Sequence, residues 1–238
     1  MSGHSKWAQI KRQKGTADLK KGIAFTKLAN AITIAAREGG PDPAINFRLR
    51  LTIEKARAAN MPKDNVERAI KRGSGEATDR PMATVTYEGY GPGGIAVVVE
   101  ALTDNRHRTA GELRRVFTEY GGRLGHTNSV RWMFARRGFV EVKRNANREA
   151  VELAAIDAGA ADVVEEGDSV IVYTSPTALA AVRDAVTAAG AEVLNAELAL
   201  VPTTVMAPPA DQREKVTDFL LALEDLQDIN DVATNAAI

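Results

Sequence analysis

The chain has 238 residues, 45% of them hydrophobic, no cysteine, and a formal net charge of zero from 31 Lys+Arg against 31 Asp+Glu. That length can bury two or three cores, and the missing thiols exclude disulfides, thiolate metal sites and cysteine nucleophiles and fit a reducing compartment. No apolar run approaches the roughly 18 residues of a membrane span, and no signal-peptide core follows the basic start, so the expectation is a cytoplasmic protein without membrane contact.

The first fifteen residues carry Lys6, Lys11, Arg12 and Lys14, one Trp and no acid. Such a stretch is too polar to fold on itself. Its cations suit phosphates, and Trp7 suits stacking on an unpaired base. The competing reading is a solvated terminus whose Trp folds back on the neighbouring helices. Ile23 to Glu38 is a predicted helix, because Ala24, Leu28 and Ile32 recur at four-residue steps and Gly39-Gly40 stops it. Lys20, Lys21 and Lys27 crowd its start, where the helix dipole disfavours cations, so local helix stability does not explain them. Asp42 and Pro43 predict the opening of a second helix running to about Asn60. On it Arg48 and Lys55, and likewise Arg50 and Arg57, lie seven residues apart and nearly in line. A third helix, from Pro62 to before Gly73, carries Lys63, Arg68, Lys71 and Arg72. Tail and helices make a first domain, residues 1–76.

A Gly/Ser/Thr/Asp linker follows, and then two predicted strands, Ala83 to Glu88 and Ile95 to Leu102. Gly89 to Gly94 between them satisfies G-x-G-x-x-G, but a dinucleotide site needs a helix after that motif, and here a strand follows, so a hairpin loop is expected. Asp104 to Arg108 reads as a basic loop before a helix that opens at the capping-box spacing of Thr109 and Glu112 and runs to about Tyr120. Arg106, Arg108, Arg114 and Arg115 there form a second candidate phosphate site, helped by free backbone N–H groups at the helix start. Ser129 to Phe134 is a predicted strand, with Arg131, Arg136 and Arg137 around it. From 138 to 202 the chain repeats itself: Ala158-Gly159-Ala160 recurs 31 residues later as Ala189-Gly190-Ala191, each after a strand and a helix, as in a ferredoxin-like sandwich. The acids Glu165, Glu166 and Asp168 lack calcium-loop spacing and read as a solvated face. A helix from Asp211 to about Asp225 and a short strand near Asp231 to Ala236 are expected to return to the middle sheet. The expected fold is α+β: an N-terminal helical bundle, a middle α+β domain of residues 77–137 plus 203–238, and an acidic ferredoxin-like domain, 138–202, inserted into it.

The zero net charge hides a division. Residues 1–148 hold 28 Lys+Arg and 14 Asp+Glu, whereas 149–238 hold 3 and 17. Such segregation offers a basic face to an anionic partner and an acidic face to solvent or to a second, cationic partner. His4, His107 and His126 lack partners at metal-ligand spacing, and no G-x-S-x-G, P-loop or paired-carboxylate setting occurs, so a non-enzymatic protein without metal or cofactor is expected. A nuclease assembled from distant residues is the enzymatic alternative.

The strings Gly3-His4-Ser5-Lys6-Trp7, Phe25-Thr26-Lys27-Leu28, Asn46-x-Arg48-Leu49-Arg50, Asn60-Met61-Pro62, Tyr87-Glu88-Gly89-Tyr90-Gly91-Pro92-Gly93-Gly94 and Asp104-Asn105-Arg106-x-Arg108-Thr109 resemble the YebC/PmpR family, which includes the mitochondrial translational activator of cytochrome c oxidase. The likeness runs along essentially the whole chain. It departs from the pattern at Val232-Ala233-Thr234-Asn235, where the family usually has an aromatic. The resemblance implies a three-domain, cytoplasmic, non-enzymatic protein. Some members are described as transcriptional regulators that bind promoter DNA, and others as ribosome-associated factors that help translation through proline-rich sequences. The resulting expectation is a nucleic-acid-binding regulator of gene expression, a DNA-binding transcriptional regulator. The alternatives are a translation factor on ribosomal RNA and a protein-interaction module using the acidic domain. The expected contacts are Lys6, Trp7, Lys11, Arg12, Lys14, Lys20, Lys21, Lys27, Arg48 and Arg50, then Arg106, Arg108, Arg114 and Arg115. The absence of a helix-turn-helix reading helix argues mildly against base-specific duplex readout.

Overall fold

A computed structural model describes residues 7, 21–76, 82–144 and 148–238, the side chains of 21–23 excepted. Three helices come first: α1 (Lys21–Gly39), α2 (Phe47–Ala58) and α3 (Lys63–Ser74). One side chain joins the first two. Asn46 donates from Nδ2 to the carbonyls of Ala35 and Gly40, both at 2.8 Å, and its Oδ1 accepts from Leu49 N at 3.0 Å. It thereby satisfies orphan carbonyls of α1 and caps α2. This corrects the expected start at Asp42-Pro43: Asp42 builds the preceding turn, accepting from Ala44 N at 2.8 Å. Ile32, Ala35, Leu49, Ile53, Met61 and Val66 form the bundle core.

The next elements are β1 (Ala83–Tyr90), β2 (Ala96–Thr103), α4 (Arg106–Glu119) and β3 (Arg123–Leu124). β1 and β2 make an antiparallel hairpin around the glycine-rich loop. Packing explains those glycines: a Cβ on Gly89 would lie 2.5 Å from the Phe117 ring, and one on Gly91 2.6 Å from Phe219. α4 begins three residues before the expected capping box, because Asn105 takes the cap by accepting from Arg108 N at 3.1 Å. Thr109 instead turns its hydroxyl inward to Asp228, at 2.6 Å.

Then come β4 (Phe134–Lys143), α5 (Arg148–Asp157), β5 (Ala160–Glu166), β6 (Ser169–Thr174), α6 (Leu179–Ala188) and β7 (Val193–Pro202). Their sheet is antiparallel with order β5-β6-β4-β7, the βαββαβ arrangement that the internal repeat predicts. Its helix-covered face packs Val140, Val142, Val172, Leu179, Val182 and Val186. The long β4–β7 pair returns the chain to its point of departure, where Pro202 faces Phe134. α7 (Arg213–Glu224) and β8 (Ile229–Thr234) follow, and β8 pairs with β2, so the first sheet has the order β3-β1-β2-β8. Thr234 and Asn235 are buried, and Asn235 Oδ1 accepts from Ala96 N at 2.7 Å.

The first sheet is covered on both faces. Val97, Val99 and Ala101 lie against α4 and α7, while Ala96 and Val98 meet Val130 and Phe134 on the other side. Of the segment predicted as a strand, Ser129 to Phe134, residues 129–133 are a loop with a 3-10 turn at Arg131–Met133, and only Phe134 belongs to a strand, as the first residue of β4. Ser129 N and Met133 N bond carbonyls within the loop, and three other N–H groups go to a buried carboxylate rather than to a neighbouring strand. Glu88 accepts from Asn128 N at 2.7 Å, Val130 N at 2.9 Å and Arg131 N at 2.8 Å.

Candidate nucleic-acid interface

Trp7 is not available to a nucleic acid. It is 1% exposed, packed with Val97, Val99, Phe219, Leu220, Leu223 and Val232 in the helix-covered core of the first sheet. Its indole N–H donates to Val232 O at 3.1 Å. β8 is an edge strand, and every second carbonyl of an edge lacks a sheet partner. The indole supplies one. Magnitudes decide the outcome: burying a Trp removes about 150–250 Å² from water, worth about 4–6 kcal/mol, against about 1–3 kcal/mol for stacking one base. Lys6, Lys11, Arg12, Lys14, Lys20 and the side chain of Lys21 lie outside the described residues.

Most of the other expected contacts in the helical bundle are already engaged. Lys27, 16% exposed, reaches Glu224 on α7 at 3.0 Å. Arg48 pairs with Glu38 and lies 3.9 Å from Glu100 on β2. Arg50 lies over the Phe47 ring at 5.3 Å, and Arg183 of α6 lies over the same ring at 4.9 Å. Lys55 meets Glu197 on β7 at 2.8 Å. A cleft of about 440 Å³ between the bundle, β7 and β8 is therefore lined by cations that carboxylates already neutralise. The charge division seen in the sequence is in good part closed within the molecule, with basic N-terminal side chains meeting acidic C-terminal ones. Arg108 belongs to the same pattern: it bonds Asp104 at 3.0 Å and Asp228 at 2.8 Å, and the bond to Asp228 raises its pKa further.

Glu100 stands where bundle, first sheet and second sheet meet, in a cleft of about 140 Å³ with Arg48, Arg131, Arg136 and Asp231. Burial raises its pKa above the ordinary 4.5, and the neighbouring Asp231 adds to this, while Arg48 lowers it. The folded chain thus holds this proton where the unfolded chain has lost it. That contribution favours folding below the unfolded pKa and is lost as pH rises through the folded one. Glu100→Gln is expected to remove this part of the pH dependence, so its urea midpoint should fall less than the wild type's between mildly acidic and neutral pH.

Of the expected contacts among the described residues, those that remain exposed and uncommitted to distant carboxylates lie on a face of α4. Arg106, His107, Arg114 and Arg115 are exposed, and only Arg115 of these has an ion pair among the described residues, with Glu119 at 3.0 Å. Gly111 lies between them, and a Cβ built there meets nothing within 4 Å. Glycine in a helix interior costs roughly 0.5–1 kcal/mol relative to alanine, and no packing among the described residues requires it here. A bare backbone ringed by arginines lets a bulky anion approach closely. Arg123, exposed on the edge strand β3, lies 5.4 Å from the Tyr90 ring centre and extends this face. Sequence reasoning missed Trp132, which is 72% exposed on the loop held by Glu88. A strand reading hides which way such a residue points.

A helical bundle, an antiparallel sheet closed by the C-terminal strand and a ferredoxin-like sheet define a three-part α+β protein. The family model for the TACO1/YebC protein N-terminal domain matches residues 5–76, and that for the TACO1/YebC second and third domain matches 82–236. The chain belongs to the TACO1/YebC family. It is 49% identical to a probable transcriptional regulatory protein of Thermomicrobium roseum over 100% of this chain and 96% of that one. A protein of the same name from Thermotoga maritima is 47% identical over 99% and 93%. The crystal structure of the conserved hypothetical protein Aq1575 from Aquifex aeolicus superposes with a TM-score of 0.83 at 42% identity, covering 93% of this chain and 92% of that one.

Proposed function

We propose that this protein is a non-enzymatic, nucleic-acid-binding regulator of gene expression that acts in the cytoplasm as a DNA-binding transcriptional regulator. We further propose that its domains divide at 1–76, 77–137 plus 203–238, and 138–202. The observation that carries the functional reading is the exposed arginine face of α4 around Gly111, and the names of the relatives agree with it. His107 and His126 are exposed, and among the described residues no group of three or more His, Asp or Glu side chains is placed to hold a metal. Among the described residues no helix is long and apolar enough to cross a membrane.

The test is salt-dependent binding to a promoter-length duplex. Each lost phosphate contact lowers the slope of log K against log salt by about 0.9, so Ala at Arg106, Arg114 and Arg115 together should flatten it by about 2–3. The same change at Lys11, Arg12 and Lys14 tests the tail independently. Gly111→Ala is expected to raise stability by roughly 0.5–1 kcal/mol yet weaken binding by about 1 kcal/mol or more through crowding. Unchanged slopes in both triple variants would remove these cations from the interface.

A further inference from the structure

Trp132 is the one aromatic among the large apolar side chains that stand exposed on the described residues. It is not left there by a loose loop. The three backbone N–H bonds to Glu88 fix residues 128–131, Tyr90 Oη donates to Ser129 O at 3.2 Å, and the indole N–H of Trp132 donates to the same carbonyl at 3.3 Å. Asn128 adopts a left-handed φ of 66° to make the turn, a conformation that costs a non-glycine residue and persists where surroundings impose it. One edge of the indole is thus held while 72% of the side chain faces solvent. The surroundings define the partner. Between Tyr120 and Val140 the chain carries Arg123, His126, Arg131, Arg136 and Arg137 and no Asp or Glu. Arg131 and Arg136 line the Glu100 cleft, with Arg136 3.7 Å from Glu38, which leaves Arg123 and Arg137 as the arginines of this stretch outside that cleft and without an ion pair among the described residues. The exposed neighbours on the loop are His126, Thr127 and Asn128, which do not extend the indole into an apolar patch for a protein partner. The other exposed large apolar side chains, Ile45, Leu153, Ile156, Leu194 and Val205, belong to other segments.

We infer that Trp132 is a stacking platform for an unpaired nucleobase, with Arg123 and Arg137 of the same stretch available to neutralise flanking phosphates. An aromatic face in a cationic setting is the recognition chemistry of single strands and loops, since bases inside a duplex have no free face. The inference rests on the nucleic-acid reading above and narrows its ligand. Trp132 lies beyond the opposite face of the first sheet from α4. The chain passes from one to the other around the β3 edge, where Arg123 stands, so one long ligand can meet both.

The experiment uses the full chain and labelled oligouridylate and oligothymidylate of about 12 nucleotides, within the footprint usual for single-strand platforms, beside a fully paired duplex. Trp132→Ala should weaken both single-strand probes by about tenfold or more, Trp132→Phe by less, and duplex affinity should not change. Iodide should quench the solvent-exposed emission of the free protein and lose that access when a single strand binds. Tighter binding of the ribose probe would identify RNA as the source of the base, and equal binding would show that the base alone is read. Single-strand binding by Trp132→Ala at wild-type strength would overturn the inference, as would an equal loss for the duplex. A wild type that binds none of the probes would sink the parent reading with it. A wild-type dimer that Trp132→Ala converts to monomer without nucleic acid would assign the indole to a second copy instead.

Discussion

Trp7→Ala is expected to cost about 3–5 kcal/mol of stability, the range for deleting a large aromatic from a packed core. Globular proteins are stable by only about 5–15 kcal/mol, so the variant should unfold at a urea midpoint far below the wild type's and lose roughly 10 °C in Tm. The cost has two parts. The cavity would open in the core that holds Val97, Val99, Phe219, Leu220 and Leu223, side chains of a sheet and a helix that cannot close over it without moving each other. The lost indole bond leaves Val232 O on the edge strand without its partner. Trp7→Phe separates them: it keeps most of the volume and removes the donor, so about 1–2 kcal/mol is expected. Urea unfolding followed by far-UV circular dichroism measures both variants without relying on Trp emission. Wild-type stability for Trp7→Ala together with lost nucleic-acid binding would restore the stacking role and refute the buried one.

The two tryptophans show where sequence reasoning succeeds and fails here. Helix periodicity, strand composition and the 31-residue repeat are local signals, so the bundle, the hairpin and the ferredoxin-like sheet are legible, as is the return of the last strand to the middle sheet. Trp7 sits among cations, which suggests exposure, and Trp132 sits in a segment that reads as a strand, which leaves its direction open. Each is decided by groups far away in the chain: Val232 lies 225 residues from Trp7, and Glu88 lies about 40 residues before the loop it holds. Cations mislead for the same reason. Arg108 looks free beside Arg106, but Asp228, 120 residues on, claims it. Lys27 looks like part of a basic stripe until Glu224 closes on it from a helix 197 residues away. Conversely, Arg114 and Arg115 were legible as exposed because α4 buries Thr109, Leu113, Val116 and Phe117 at helical spacing, which turns both arginines outward. Gly111 was passed over because a glycine within a helix carries no signal until the space beside it is seen to be empty.

Glu88 is the residue whose replacement should connect stability to the proposed platform. Its carboxylate is buried and accepts three backbone N–H bonds, Oε1 from Asn128 and Oε2 from Val130 and Arg131. Bonds to a charged acceptor are worth about 1.5–3 kcal/mol each, and a buried donor left unpaired costs about 1–3 kcal/mol. The contributions are not additive because the loop relaxes as a unit, and a loss of about 3 kcal/mol is expected for Glu88→Ala. Glu88→Gln has nearly the same shape but turns one acceptor oxygen into an NH2 that faces backbone donors. Either orientation of the amide breaks at least one bond, and about 2 kcal/mol is expected. Where the whole fold survives, the loop should open first, since apart from Val130, Met133 and Phe134 few apolar side chains hold it to the sheet. Fluorescence anisotropy and iodide quenching of Trp132 report that opening, and single-strand affinity should fall with the indole itself untouched, because an unheld ring must be ordered on binding. A Glu88→Gln protein with the wild-type urea midpoint and unchanged Trp132 quenching would show that the carboxylate does not hold the loop.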